Sequence, residues 1–160
     1  MQIDSIDIFC EIIDNFGDIG VVYRVAKELK KIYNGQVKIR VIFNRIDEFL
    51  KINPTAKNLE IQDIDGVCYC TYEYIKKNMC TFSTANVIIE AFGCTIPEEY
   101  MNVAYNNSNL ILNLEYLSAE DWVEDFHLQE SILGKGNLEN SSLCLDLLKK
   151  QVELSQILYI

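Results

Sequence analysis

Two hydrophobic periods alternate along this chain. Ile6–Ile13 is a near-continuous apolar run and reads as a buried first strand. A tight turn with two glycines, Gly17 and Gly20, breaks it, and apolar residues then recur at helical spacing from Ile19 to Ile32, with Lys27, Glu28, Lys30 and Lys31 on the wet face. Asn34-Gly35 supplies a helix stop. Val37–Phe43 alternates apolar and polar as a second strand, and Arg45–Ile52 is a short helix halted by Asn53-Pro54. Residues 59–82 carry the weakest pattern, with a strand over Val67–Tyr72 and a loop around Asn78. Asn86–Glu90 and Leu110–Leu114 read as two further buried strands, separated by a helix that Pro97 opens. Ser118-Ala119-Glu120-Asp121 has the form of an N-cap followed by an acidic first turn. This repeated strand–helix order predicts an α/β fold, a Rossmann-like parallel sheet with flanking helices on both faces.

In such sheets ligands bind beyond the carboxyl ends of the strands. Three of those ends are chemically marked: the first by Asp14 and Asp18, the next by Glu90-Ala91-Phe92, the last by Glu115-Tyr116. A strand–turn–helix of the first kind usually cradles a phosphate on the helix N-terminus. Two carboxylates there repel a phosphate and favour a cation, or a proton that must be removed. Simpler roles stand beside these. Asp18 can be an N-cap and Asp14 a turn former, and Glu90 and Glu115 can be solvated strand ends. Tyr116, Trp122 and Phe126 fall at roughly helical spacing, as core residues do, and His127 reads as a loop residue without a catalytic partner.

Composition narrows the class. A chain of 160 residues, 49% hydrophobic and 24% charged, is long enough for one folded domain that buries roughly 70% of its unfolded surface. The net charge of -10 argues against nucleic-acid binding, which needs a basic stripe. Met1-Gln2-Ile3-Asp4 has no basic leader segment, and no apolar run reaches membrane-spanning length. A cytoplasmic protein with reduced thiols is expected, with no membrane partner. Cys10 and Cys94 read as small core residues. Cys68 and Cys70 form C-x-C rather than C-x-x-C, and the chain has a single histidine, so neither a metal site nor a cofactor is expected.

Three segments together resemble one family. The turn I-D-N-F-G-D-I-G-V with Arg24 and Ala26, then Glu90-Ala91-Phe92-Gly93-Cys94 with Pro97 and Tyr100, then Asn113-Leu114-Glu115-Tyr116-Leu117-Ser118-Ala119-Glu120-Asp121-Trp122-Val123-Glu124 with His127, are similar to the bacterial protein-arginine rhamnosyltransferases that modify elongation factor P, the EarP type. The resemblance implies that the chain is the N-terminal half of a GT-B glycosyltransferase, holding the acceptor protein, elongation factor P. It implies inverting transfer of rhamnose from dTDP-β-L-rhamnose, whose main site lies in a C-terminal domain, to an arginine of that acceptor, without a metal. By the D-N-F-G-D motif the catalytic pair falls on Asp14 and Asp18. Asn15, Phe16, Gly17, Glu90, Phe92, Glu115 and Tyr116 are the substrate-binding candidates. Tyr23 replaces a tryptophan usual in the family, which alters local packing. Two rival functions remain: a non-catalytic binding domain for elongation factor P, or an unrelated nucleotide-binding Rossmann domain. The second lacks support, because the turn carries acids and no G-x-G-x-x-G.

The resemblance fades near Leu138. With suitable synonymous codons, the segment from Glu139 to Ser155 reads in a neighbouring frame as K-F-F-F-M-P-G-F-T-K-K-T-G-G-V-I, matching the aromatic-rich segment that follows in the family. The expected organisation is therefore an acceptor-binding domain over 1–138 and a frameshift tail over 139–160, with the nucleotide-sugar domain missing and the chain inactive by itself. The alternative is an authentic C-terminal helix using Leu143, Leu145, Leu147, Leu148, Val152, Leu154 and Leu158.

Overall fold

The computed structural model describes residues 2–13, 16–115 and 139–143. Its strands are β1 (Ser5–Cys10), β2 (Lys38–Phe43), β3 (Ile61–Ile64), β4 (Val67–Thr71), β5 (Val87–Ala91), β6 (Leu110–Leu114) and β7 (Glu139–Leu143). Its helices are α1 (Gly17–Ile32), α2 (Ile46–Ile52), α3 (Tyr72–Asn78) and α4 (Glu98–Asn107). The strands form one sheet in the order β3-β4-β2-β1-β5-β6-β7. Every neighbouring pair is parallel except β3 with β4. The parallel strands thus follow the doubly wound order of a Rossmann-like sheet, in which successive crossovers run outward in both directions from β1.

Both faces of the sheet are covered, which is why its central strands are so apolar. One face carries Ile6, Ile8, Val41, Val87 and Ile89 against Ile19, Val22, Ala26 and Leu29 of α1 and Phe49 of α2. The other carries Phe9, Ile42, Ile88 and Ile111 against Tyr72 and Ile75 of α3 and Tyr100 and Ala104 of α4. Cys10 and Cys94 are buried, as their apolar flanks suggest. Tyr23 lies 6.3 Å from the Phe49 ring and 6.1 Å from that of Tyr69, joining an aromatic group between α1 and the sheet.

The structure corrects the sequence reading at several points. The first strand ends at Cys10 rather than Ile13; Ile12 stays buried while Ile13 turns out to solvent, 69% exposed. Alternation in the second strand suggested a wet face for Lys38 and Arg40, yet Arg40 is only 3% exposed. It lies inside the sheet's second covered face, where Asp7 of β1 receives it: Nε donates to Asp7 Oδ1 at 2.5 Å and Nη2 to Oδ2 at 2.6 Å. The Tyr100 hydroxyl donates to the same Oδ2 at 2.5 Å. Arg40 also donates to the Ser83 carbonyl and lies 4.1 Å over the Phe82 ring. Tyr72 starts a helix instead of ending a strand, because the Thr71 side chain accepts from the Tyr74 N–H and caps α3. That helix reaches Asn78, where a loop was expected. The hairpin β3–β4 was not anticipated; it turns at Asp65 and Gly66, both with positive φ, 53° and 75°.

Strand β7 pairs in register with β6 from Leu110–Glu139 to Leu114–Leu143. It comprises the first residues of the expected tail. The expected helix starting near Ser118, Trp122, Phe126, His127 and everything from Cys144 onward lie outside the described residues.

Candidate functional site

The crevice of a doubly wound sheet opens where neighbouring strands send their connections to opposite faces. Here that point lies between β1, whose chain leaves for α1 on one face, and β5, whose chain leaves for α4 on the other. Both strands are parallel, so their carboxyl ends share one rim.

On the β1 side the chain runs through Glu11, Ile12 and Ile13 into the helix. Asp14 and Asn15 lie outside the described residues. Phe16, 51% exposed, takes the N-cap position of α1 without any side-chain capping bond. Gly17 is the first helical residue, and Asp18 stands in the first turn. Asp18 is thus not the N-cap that its sequence position allowed. Its carboxylate complements the positive end of the helix and occupies the electrostatic role that a bound phosphate would otherwise take.

The approach to this turn is tied down by two residues that sequence reading passed over. The Ile12 N–H donates to Asn44 Oδ1 at 2.8 Å, and Asn44 Nδ2 donates back to the Ile12 carbonyl at 3.2 Å. Arg45 reaches the Ile13 carbonyl with Nη1 at 3.4 Å, while its Nη2 pairs with Asp47 and Glu48. The only hint in the sequence was position: both follow directly on the strand that neighbours the first.

On the β5 side, Glu90 sits opposite Phe9 of β1 and Asn113 of β6. It is half-buried. Burial first, and the neighbouring Glu115 carboxylate second, push its carboxyl above the ordinary value. Glu115 itself is exposed immediately after β6. Phe92 and Gly93 then turn the chain with φ of 59° and 65°, and the Phe92 N–H donates to the Leu114 carbonyl at 2.7 Å. Tyr116 is outside the described residues.

Beneath the rim lies a layer that connects its two sides. Glu11 accepts the Thr95 N–H at 3.1 Å, joining the loop after β1 to the loop after β5. The Cys94 thiol donates to the Phe9 carbonyl at 3.3 Å. Burial pushes the Cys94 thiol up to about 12, with the Glu90 carboxylate adding to the rise. Burial also raises Cys10, helped by Cys94, Asp18 and Glu11. Asp18 in the turn after β1, Glu90 near the end of β5 and Glu115 just after β6 thus stand at the carboxyl ends of three neighbouring parallel strands, with Phe16, Gly17 and Phe92 in the turns between. No group of three or more metal-ligating side chains occurs among the described residues. No helix there is long and apolar enough to cross a membrane.

A Rossmann-like sheet with the Asp18, Glu90 and Glu115 carboxylates near its switch point defines an α/β domain with an acidic rim. Comparison with known sequences narrows the class. The profile described as "Elongation-Factor P (EF-P) rhamnosyltransferase EarP" matches residues 6–142, and this chain belongs to that family. It is 36% identical over 135 residues to a protein-arginine rhamnosyltransferase of Pseudomonas aeruginosa, covering 82% of this chain and 35% of that protein. It is 37% identical over 129 residues to one from Shewanella oneidensis, covering 76% and 32%. A third, from Neisseria meningitidis serogroup B, is 33% identical over 124 residues, covering 78% and 32%. The chain thus spans about a third of the length of the curated relatives it matches.

Proposed function

We propose that this domain presents an arginine of elongation factor P for rhamnosylation, in a GT-B enzyme whose donor is dTDP-β-L-rhamnose. The observation that carries the reading is the acidic rim at the switch point, in a chain belonging to the EarP family. The acceptor is a protein of the cytoplasm, where translation factors work.

The chemistry needs such a rim. A guanidinium keeps its proton at any physiological pH, and its nitrogen lone pairs are delocalised, so it is a poor nucleophile. A carboxylate pair can hold it by charge-assisted, bidentate hydrogen bonds. This fixes the plane of the group and distinguishes one nitrogen from the other two. Asp14 takes the orienting role. Asp18 accepts the proton as the new C–N bond forms at the sugar's anomeric carbon and the nucleoside diphosphate leaves, a general-base role. Glu90 and Glu115 add negative potential across the crevice. Phe16 and Phe92 offer aromatic faces on which a guanidinium or its methylene stem can lie.

The test grafts residues 6–115 into the Pseudomonas aeruginosa relative in place of its own segment and follows the mass of purified elongation factor P supplied with dTDP-β-L-rhamnose. Transfer by the chimera is expected to fall about a hundredfold or more with Asp18→Asn, the range for loss of a general base. Unchanged transfer in that variant would leave Asp18 a helix-end residue only. Calorimetric titration of the 160-residue chain with elongation factor P tests the binding step alone.

A further inference from the structure

The later turns of α1 and the β3–β4 hairpin border an open-mouthed cavity of about 180 Å³ that plays no part in the rim. Tyr23, Ile64, Val67 and Tyr69 supply its apolar lining. Lys27, Lys30 and Lys31 supply its border, and Asp65 is the single carboxylate in the lining. Lys27 and Lys30 stand nine and twelve residues beyond Asp18 on the same helix, roughly 14 and 18 Å along its axis. Sequence alone assigns these lysines to a solvated face. The structure folds Lys30 half-inward: its Nζ lies 2.7 Å from where a Cβ on Gly66 would stand and 3.2 Å from one on Gly35. Both positions are glycine with positive φ, so the two turns leave room for the ammonium. The Lys27 ammonium lies 5.2 Å from the centre of the Tyr23 ring, and Lys31 is paired with Glu28 at 2.6 Å.

Two magnitudes identify the occupant. A dry apolar cavity of about 150 Å³ accommodates one benzene ring, so the space fits a single aromatic side chain. Lys27 and Lys30 border it in a chain whose net charge is -10, while Lys31 is already paired with Glu28. An acidic partner is repelled by most of this molecule and can approach where positive charge is concentrated. We propose that the cavity is a docking site for an acidic peptide segment of a protein partner, with an aromatic side chain seated in its mouth against Tyr23 and Ile64 and flanking Asp or Glu residues on Lys27 and Lys30. The site is physically separate from the acidic rim and does not depend on the activity assigned to it.

The probe is a fluorescein-labelled peptide, G-D-E-F-E-D-G, titrated by anisotropy against the 160-residue chain. Saturable binding is expected that weakens with added salt, weakens at least tenfold when the phenylalanine is replaced by alanine, and weakens at least tenfold in Lys27→Glu and in Lys30→Glu. Both lysines reach solvent, and Lys30→Met, which keeps the apolar stem, is expected to lose affinity while retaining the wild-type circular dichroism. Peptide-induced NMR shifts should centre on Tyr23, Ile64, Val67 and Tyr69. The proposal is overturned by absence of saturation up to millimolar peptide, by charge reversals that leave the affinity within twofold, by equal affinity for the alanine peptide, or by shifts centred on the Glu90 rim. Displacement of the peptide by a single-stranded oligonucleotide at lower concentration would equally overturn it, marking the lysines as a phosphate site.

Discussion

The side-chain amide of Asn44 pairs with the main chain of Ile12 in both directions, accepting its N–H at 2.8 Å and donating to its carbonyl at 3.2 Å. The backbone ladder between β1 and β2 ends at Cys10 and Phe43. Asn44 thus prolongs the pairing by one step with a side chain, two residues before Asp14. Asn44→Ala leaves the Ile12 N–H without its partner and is expected to cost about 1–3 kcal/mol. Asn44→Asp retains the acceptor and loses the donor, so it should fall between. Urea denaturation followed by circular dichroism measures both.

The Asp7–Arg40 pair makes a sharper prediction. Burial pushes the Asp7 carboxyl up against the pull of Arg40 and Tyr100, and Asp7 in turn holds the Arg40 guanidinium above its ordinary range. Removing one partner leaves the other charge buried. Arg40→Met should therefore destabilise by about 3–5 kcal/mol, whereas Asp7→Leu combined with Arg40→Met should recover most of that loss. A double-mutant cycle in denaturant decides it, and additive losses would show that the two charges are not coupled.

Glu90 links the rim to pH. Burial and Glu115 raise its carboxyl above the ordinary 4.5, so the folded state binds this proton more tightly than the unfolded state does. The stabilising contribution is complete below about pH 4.5 and is lost as pH rises through the folded-state value. At neutral pH an ionised Glu90 is a burden on the fold. Glu90→Gln is expected to raise stability at pH 7 by at most about 1 kcal/mol after screening, with the advantage vanishing near pH 4. Thermal melts of the two proteins across that range test the sign, and a variant less stable at pH 7 would contradict it.

At the β3–β4 turn, Gly66→Ala forces a side chain into the left-handed region at φ 75°, costing about 1–2 kcal/mol. The new methyl also meets Lys30 Nζ at 2.7 Å, which the flexible side chain relieves by swinging away. Lys30→Ala in the same protein should leave the backbone cost in place. A full rescue of Tm by that second change would show that the clash, not the φ angle, was the cause.

Much of this fold was legible in the chain because each central strand is buried on both faces. The apolar runs of β1, β5 and β6 and the lysine-lined face of α1 declared themselves by period. What escaped reading was where polar groups do the work of apolar or backbone ones. Arg40 occupies an alternation slot that normally faces water, and only Asp7, far off in sequence, makes that position habitable. Asn44 prolongs a strand pairing, and Thr71 caps the helix that follows a strand, through side-chain bonds that no periodicity records. The short hairpin was signalled by Asp65-Gly66, but its outer strand Ile61–Ile64 is too brief and mixed to register. At the rim, the acidic residues could be seen in the sequence. Their gathering at one end of the sheet follows from strand order, and the burial that raises Glu90 follows from packing around it.

The central place of β1 has a consequence for how the protein is made. It leaves the ribosome before the other described strands, and β2 can cover one of its edges soon afterwards. Its other edge belongs to β5, which ends only at Ala91. At about 5–20 residues per second, Ile6, Ile8 and Phe9 wait several seconds beside an unfilled lane in the sheet. The N-terminal segment is thus most open to wrong pairing while the chain is still growing. Synonymous changes that slow translation between Phe43 and Val87 should lower the soluble yield of a protein whose sequence they leave untouched.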